Sequence, residues 1–184
     1  MIRPCGELLI SGKSMRKAII IATILITSSL QAQYYDWPMW RYDHNRSAST
    51  PEQLADKLYL QWQLSYSARE PVWDDPLNQN LMQFDRIFEP IVAENKLFIG
   101  FNDQDKVLAL DINSGKELWQ FFTDGPVRLP LAYRGGKVFF TSDDGYLYCI
   151  DAGTGMLAWK KLLAPATNKL LGNKRFISMW PARG

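Results

Sequence analysis

Asp, Gly and Trp recur at one offset in the second half of this sequence: Asp111, Gly115 and Trp119 are followed 40 residues on by Asp151, Gly155 and Trp159. Short apolar runs rich in β-branched and aromatic residues surround each triad. All 9 Phe, 8 Tyr and 7 Trp fall from Tyr34 onward. A period of about 40 residues holding several short strands is the pattern of a propeller blade. These observations predict an all-β chain: a partial β-propeller of about two four-stranded blades plus flanking strands, preceded by a signal-peptide helix.

The leader occupies residues 1–32. Arg3, Lys13, Arg16 and Lys17 against Glu7 give it a net charge of +3, while the whole chain of 184 residues carries only +2. The body is therefore near neutral and lacks the basic footprint of a nucleic-acid binder. Met15, Arg16 and Lys17 precede the apolar run 18–26, and small or polar residues lead to Ala32. That order is a secretory signal peptide, and the run is short of the roughly 20 residues that span a bilayer. An uncleaved anchor or a buried helix is the competing reading. Met15 is the expected initiator, which would leave Cys5 untranslated, and no Cys at the cleavage point marks a lipoprotein. Cleavage near Ala32 would release a periplasmic or secreted protein with no transmembrane span. Its single thiol, Cys149, lies in an apolar run and reads as an inert core residue.

Residues 33–89 read as an N-terminal segment. Thr50, Pro51, Glu52 and Gln53 have capping-box spacing, which predicts one helical turn. Leu58, Leu60, Trp62 and Leu64 alternate with Tyr59, Gln61 and Gln63, which predicts a strand, able to close a ring against a last blade. Residues 65–86 are polar, carry Pro71 and Pro76, and form a long loop of the kind that is often functional or mobile.

Residues 90–184 hold the repeats. Strands are predicted at 96–101 and 106–111, separated by Asn102, Asp103, Gln104 and Asp105, and at 137–142 and 146–151, separated by Asp143, Asp144 and Gly145. Their near-continuous apolarity fits sheets covered on both faces. Asp111 and Asp151 are placed to accept a backbone N–H two residues on, and Gly115 and Gly155 suit turn positions with positive φ. Trp119 and Trp159 are expected to begin fourth strands, each with an indole N–H that needs an acceptor. A partial third copy is read from Gly172 to Trp180.

The pattern Leu-Asp-x-x-(Ser/Thr)-Gly-x-x-x-Trp, read at 110–119 and with Ile150 for Leu at 150–159, closely resembles the pyrroloquinoline-quinone (PQQ)-type propeller repeat. That repeat occurs in quinoprotein dehydrogenases and in the propeller lipoprotein of the outer-membrane β-barrel assembly machinery. The resemblance covers residues 90–165. Asp36, Trp37, Pro38, Met39, Trp40 and Arg41 look like the segment that opens many exported members. The resemblance implies the fold; the matching Asp, Gly and Trp are architectural in the family. It brings PQQ with Ca²⁺ only as the cofactor of some relatives.

No phosphate loop, Rossmann fingerprint, HExxH or paired Cys occurs. Asp43 and His44 are the one acid–imidazole neighbour pair, and neighbours in sequence seldom face one substrate atom, so a solvated or core His44 is expected. Asp103, Asp105, Asp143 and Asp144 fall in hairpin turns of different blades, which reads as turn formation rather than calcium binding. Asn45, Arg46 and Ser47 match a glycosylation sequon by pattern alone. Phe121, Phe122, Phe139 and Phe140 are expected in the core between blades. No catalytic, cofactor-binding or metal residue is assigned. The expectation is a non-enzymatic exported propeller that binds a protein or small ligand in the cell envelope. The alternatives are the N-terminal part of a PQQ-dependent dehydrogenase and a non-functional gene fragment. A ring needs at least four blades of about 40 residues, so the chain is expected to be an open piece of a larger one.

Overall fold

In the computed structural model residues 36–67, 88–172 and 175–182 are described, all of them within the unit Tyr35–Gly184. The expected signal-peptide helix and most of the expected loop 65–86 lie outside the described residues. The apolar runs form two four-stranded antiparallel sheets with strands in sequence order. The first sheet contains β1 (Ile91–Ala93), β2 (Lys96–Phe101), β3 (Lys106–Asp111) and β4 (Glu117–Phe122). The second contains β5 (Ala132–Arg134), β6 (Lys137–Thr141), β7 (Tyr146–Asp151) and β8 (Leu157–Leu162). A two-stranded hairpin, β9 (Lys169–Gly172) and β10 (Arg175–Ser178), follows. The third copy read from Gly172 is this hairpin, beginning three residues earlier at Lys169. The chain is thus a partial β-propeller, with no helix among the described residues.

The repeat shows in the ladders residue by residue. Phe98, Ala109 and Trp119 form one cross-strand row of the first sheet, and Phe139, Cys149 and Trp159 form its counterpart in the second. Both sheets shift register in the pairing of the third strand with the fourth, between Ala109 and Leu110 of β3 and between Cys149 and Ile150 of β7. This bulge is why the fourth strands begin at Glu117 and Leu157, two residues before the tryptophans expected to start them. An extra residue at a bulge re-aims the side chains after it.

The two faces of the first sheet explain its continuous apolarity. Ile91, Phe98, Val107, Ala109 and Trp119 turn toward the second sheet, which answers with Val138, Phe140, Tyr148 and Ile150. Ile99, Phe101, Leu108 and Leu110 form a separate cluster on the opposite face, with Phe88 and Leu97 against it. Burial of each such large side chain stabilises by roughly 1.5–3 kcal/mol. Phe121 and Phe140 meet across the sheets at 6.2 Å, as expected. Phe122 does not join them. It is 61% exposed, because strand alternation sends it to the other side from Phe121. Phe139 also differs: its ring lies 6.1 Å from Trp159 of its own sheet, on the face turned away from the first.

Each third-to-fourth-strand turn is held the same way. Asp111 Oδ1 accepts the N–H groups of Asn113 and Ser114 and the Ser114 hydroxyl, at 3.2, 2.8 and 2.7 Å. Asp151 Oδ1 does so for Gly153, Thr154 and the Thr154 hydroxyl, at 3.1, 2.9 and 3.0 Å. The turns close at Gly115 and Gly155, with φ of 69° and 71°. The Trp119 indole then lies flat against Gly155, where an added Cβ would fall 2.6 Å from Cδ2. Its N–H donates to the Ala152 carbonyl at 3.1 Å.

The same contact occurs one turn earlier with an unexpected donor. Trp62 covers Gly115, with a hypothetical Cβ 2.7 Å from its Cδ2, and its indole N–H donates to the Ile112 carbonyl at 2.7 Å. Trp62 therefore stands to the first sheet as Trp119 stands to the second. The strand expected at 58–64 is nevertheless not formed. Leu58, Tyr59 and Leu60 are 76%, 76% and 81% exposed, and no neighbouring strand supplies a ladder among the described residues. The expected helical turn after Thr50 is also absent, although the Thr50 hydroxyl accepts the Glu52 N–H at 3.2 Å as a capping side chain would.

Replacing Trp119 with Ala is expected to cost about 3–5 kcal/mol, read as a lower urea midpoint at unchanged slope. Trp159→Ala, at the exposed equivalent position, should cost less than about 1 kcal/mol. Equal losses at the two positions would contradict this account of the turns. The pH dependence follows from the aspartates. Ser114 hydrogen bonds hold the Asp111 carboxyl below its ordinary value, while Lys137 and then Thr154 hold Asp151 far below it. Lowered folded values mean that this stability is present above about pH 4 and is lost as pH falls through the folded values. The urea midpoint should therefore drop on acidification from pH 5 to pH 2, at roughly the carboxylate range. The drop should be shallower in the Asp111→Asn, Asp151→Asn double variant; an unchanged drop would refute the assignment.

Candidate functional site

The motif Asp36, Trp37, Pro38 runs along the free edges of the first strands of both sheets. Trp37 exchanges backbone hydrogen bonds with Val92 at 2.7 and 2.9 Å, and the Pro38 carbonyl accepts the Tyr133 N–H at 2.7 Å. The Asp36 carboxylate accepts the Glu94 N–H at 3.1 Å. Proline is suited to this place, since only its carbonyl is asked to pair. Two open strand edges are thereby covered by one short segment.

Beyond Pro38 the chain folds back on itself. Tyr42 N–H donates to the Met39 carbonyl at 3.0 Å, Arg46 N–H to Asp43 at 2.9 Å and Ala48 N–H to Arg41 at 2.9 Å. The Asp43 carboxylate accepts the Ser47 N–H at 2.9 Å. This loop and the second sheet enclose a cleft of about 580 Å³. Its floor is apolar and comes from Leu129, Leu131, Phe139 and Leu147. Its other wall presents Met39, Trp40, Asp43, His44 and Arg46. The guanidinium groups of Arg41 and Arg46 lie over the Trp40 ring, 5.6 and 5.2 Å from its centre.

The acid–imidazole neighbours singled out in the sequence both reach this cleft but do not act as a pair. No hydrogen bond joins the Asp43 carboxylate to His44, which is exposed. Hydrogen bonding from the Ser47 backbone holds the Asp43 carboxyl below its usual value, so it is a poor proton acceptor at neutral pH. The sequon residue Asn45 is exposed beside them.

The four turn aspartates are not brought together. Asp143 pairs with Arg128 at 3.3 Å where both are largely buried, and Asp144 accepts the Tyr146 N–H at 3.0 Å and the Tyr148 hydroxyl. Burial, then the Asp144 carboxylate, push the Tyr148 hydroxyl far above its ordinary value. The Asp105 carbonyl accepts both the N–H and the hydroxyl of Thr123, at 2.8 and 2.9 Å. Asp103 Oδ1 is the one buried side-chain oxygen left without a partner among the described residues. Calcium takes about six to eight oxygens. One free oxygen on Asp103, with Asp143 and Asp144 engaged by Arg128 and Tyr148, does not make that site. Cys149 is buried, and burial raises its thiol above the usual value, as an inert core residue requires.

Two contributors were not singled out from sequence. Arg46 appeared only within a sequon, although two arginines within six residues after Trp40 are a readable cation–π signal. Trp62 was read as part of an alternating strand. Its role could have been found by asking which earlier Trp serves Gly115 as Trp119 serves Gly155.

Comparison with known proteins agrees with this architecture. The alcohol dehydrogenase (quinone), dehydrogenase subunit, of Gluconobacter oxydans is 32% identical over 97 residues, which are 47% of this chain and 12% of that protein. The outer membrane protein assembly factor BamB of Moranella endobia is 31% identical over 90 residues, 43% of this chain and 23% of that one. The crystal structure of quinohemoprotein alcohol dehydrogenase from Comamonas testosteroni superposes with a TM-score of 0.50 at 19% identity, over 75% of this chain and 21% of that one, a likeness of fold alone. The chain thus matches less than a quarter of the length of each of these relatives. The profile of the PQQ-like repeat family described as outer membrane protein assembly factor BamB matches residues 40–176, and the chain belongs to that family.

Proposed function

We propose that the protein is an exported binding and scaffold module of the cell envelope, with no catalysis of its own. The observation that carries this reading is the make-up of the cleft: an apolar floor facing a wall that carries Arg46, with the one acid among the described lining residues tied to Ser47. Such a surface recognises and holds; it supplies no activated nucleophile or poised base. The family supports an envelope setting, and no helix among the described residues is long and apolar enough to cross a membrane. The leader read at residues 1–32, cleaved near Ala32, supplies the route. A second reading, part of a PQQ-dependent dehydrogenase, is favoured by the 32% identity to the quinone alcohol dehydrogenase subunit.

One experiment separates the two. The purified full chain, incubated with PQQ and Ca²⁺, is assayed for dye-linked oxidation of primary alcohols, and the protein recovered from the periplasmic fraction is weighed by mass spectrometry. The binding-module reading expects no oxidation above the quinone-free control and a mature N-terminus close to residue 33. Quinone-dependent turnover, or retention inside the cell with the leader intact, would overturn it.

A further inference from the structure

The loop that walls the cleft is conformationally costly. Arg41, Tyr42, Arg46 and Ala48 hold φ of 58°, 80°, 55° and 52° within eight residues, a denser run than the strand-connecting turns show at Glu94, Asn95 and Asp105. Left-handed backbone at a non-glycine residue is disfavoured and persists where surrounding contacts over-determine it. Here those contacts are the backbone bonds from Arg46 to Asp43 and from Ala48 to Arg41. Their result is to hold Trp40, His44 and Arg46 on one side of the cleft.

The arginines of this loop are held by stacking rather than by ion pairs. Among the described residues neither Arg41 nor Arg46 has a carboxylate within salt-bridge distance, and both guanidinium groups rest on the Trp40 indole. Stacking on an indole restrains a guanidinium while leaving its N–H edge free to donate. Asp43, the one acid among the described lining residues, accepts the Ser47 N–H at 2.9 Å. Across the cleft Leu129, Leu131, Phe139 and Leu147 offer no charge. A volume of about 580 Å³ is within the usual span of small-molecule sites, about 300–1,000 Å³.

We propose that this cleft binds a small amphiphilic organic acid, its apolar body on the leucines and Phe139 and its carboxylate on the Arg46 guanidinium. A monoanionic head suits the wall better than a phosphate dianion. Among the described lining residues Arg46 is the one arginine, and the Asp43 carboxylate lines the same cleft. The planar fork of Arg46 matches a carboxylate edge with two parallel donors. An apolar ligand without charge would leave the arginine unused, and an amine would be repelled. The assignment rests on the binding reading above and names the ligand class for that same site.

The test titrates the full chain with octanoate, 1-octanol, octylamine or inorganic phosphate while following the Trp40 indole N–H resonance, identified by its loss in Trp40→Phe. Octanoate is expected to shift it with an affinity at least about fivefold above that of octanol. Octylamine and phosphate should leave the resonance in place. Arg46→Gln should weaken octanoate about tenfold and leave octanol unchanged, while Arg46→Lys retains most of the octanoate affinity. Equal binding of octanol and octanoate, competition by phosphate, or indifference of octanoate to Arg46→Gln would overturn the proposal. A silent titration would overturn the proposal while leaving the binding-module reading standing, whereas quinone-dependent oxidation by the chain would remove that reading.

Discussion

The contact on which the rest of this structure depends is an indole laid on a glycine. Trp119 projects from the fourth strand of one sheet onto the turn of the next, where Gly155 has a φ of 71° and no room for a Cβ. Two independent constraints therefore select glycine there: the left-handed backbone and the closeness of the ring. The Ala152 carbonyl takes the indole N–H, so a large apolar side chain is buried without leaving its polar group unpaired. Around that point Phe98 packs on one side, and the aromatic meeting of Phe121 with Phe140 and Tyr148 continues the interface.

The turn that receives the indole is built to be rigid before contact. Three hydrogen bonds to one aspartate oxygen fix the chain at Asp151, and Lys137 pairs with the second oxygen at 2.8 Å. Asp111 organises its turn with the same three bonds, and there the indole comes from Trp62. A local hydrogen-bond motif and a long-range apolar contact thus support one another, which is what a short repeat with little core of its own requires. Trp159 occupies the equivalent place in the second sheet at 45% exposure, against 9% for Trp119, with no receiving turn among the described residues.

Much of the blade was legible in the sequence because its signals are local or periodic. The strands 96–101, 106–111 and 146–151 follow directly from apolar runs bounded by turn residues, and the strand expected at 137–142 ends one residue early, at Thr141. The aspartate and glycine roles follow from turn chemistry. What failed were inferences in which a correct pattern lacked its partner. Residues 58–64 alternate as a strand does, but alternation does not supply a neighbouring backbone. Phe122 is aromatic like Phe121, but one residue along a strand reverses its face. The cleft was less legible still. Its floor comes from the second sheet and the residues just before it, its wall from a loop some 90 residues earlier, and the left-handed angles of Arg41, Tyr42, Arg46 and Ala48 leave no compositional trace.

The most direct measure of the indole-on-glycine account is hydrogen exchange at the three tryptophan side chains. It predicts slow exchange at the Trp119 and Trp62 indole N–H groups, which donate to Ala152 and Ile112, and fast exchange at Trp159. Comparable exchange at all three, or faster exchange at Trp119 than at Trp159, would contradict it.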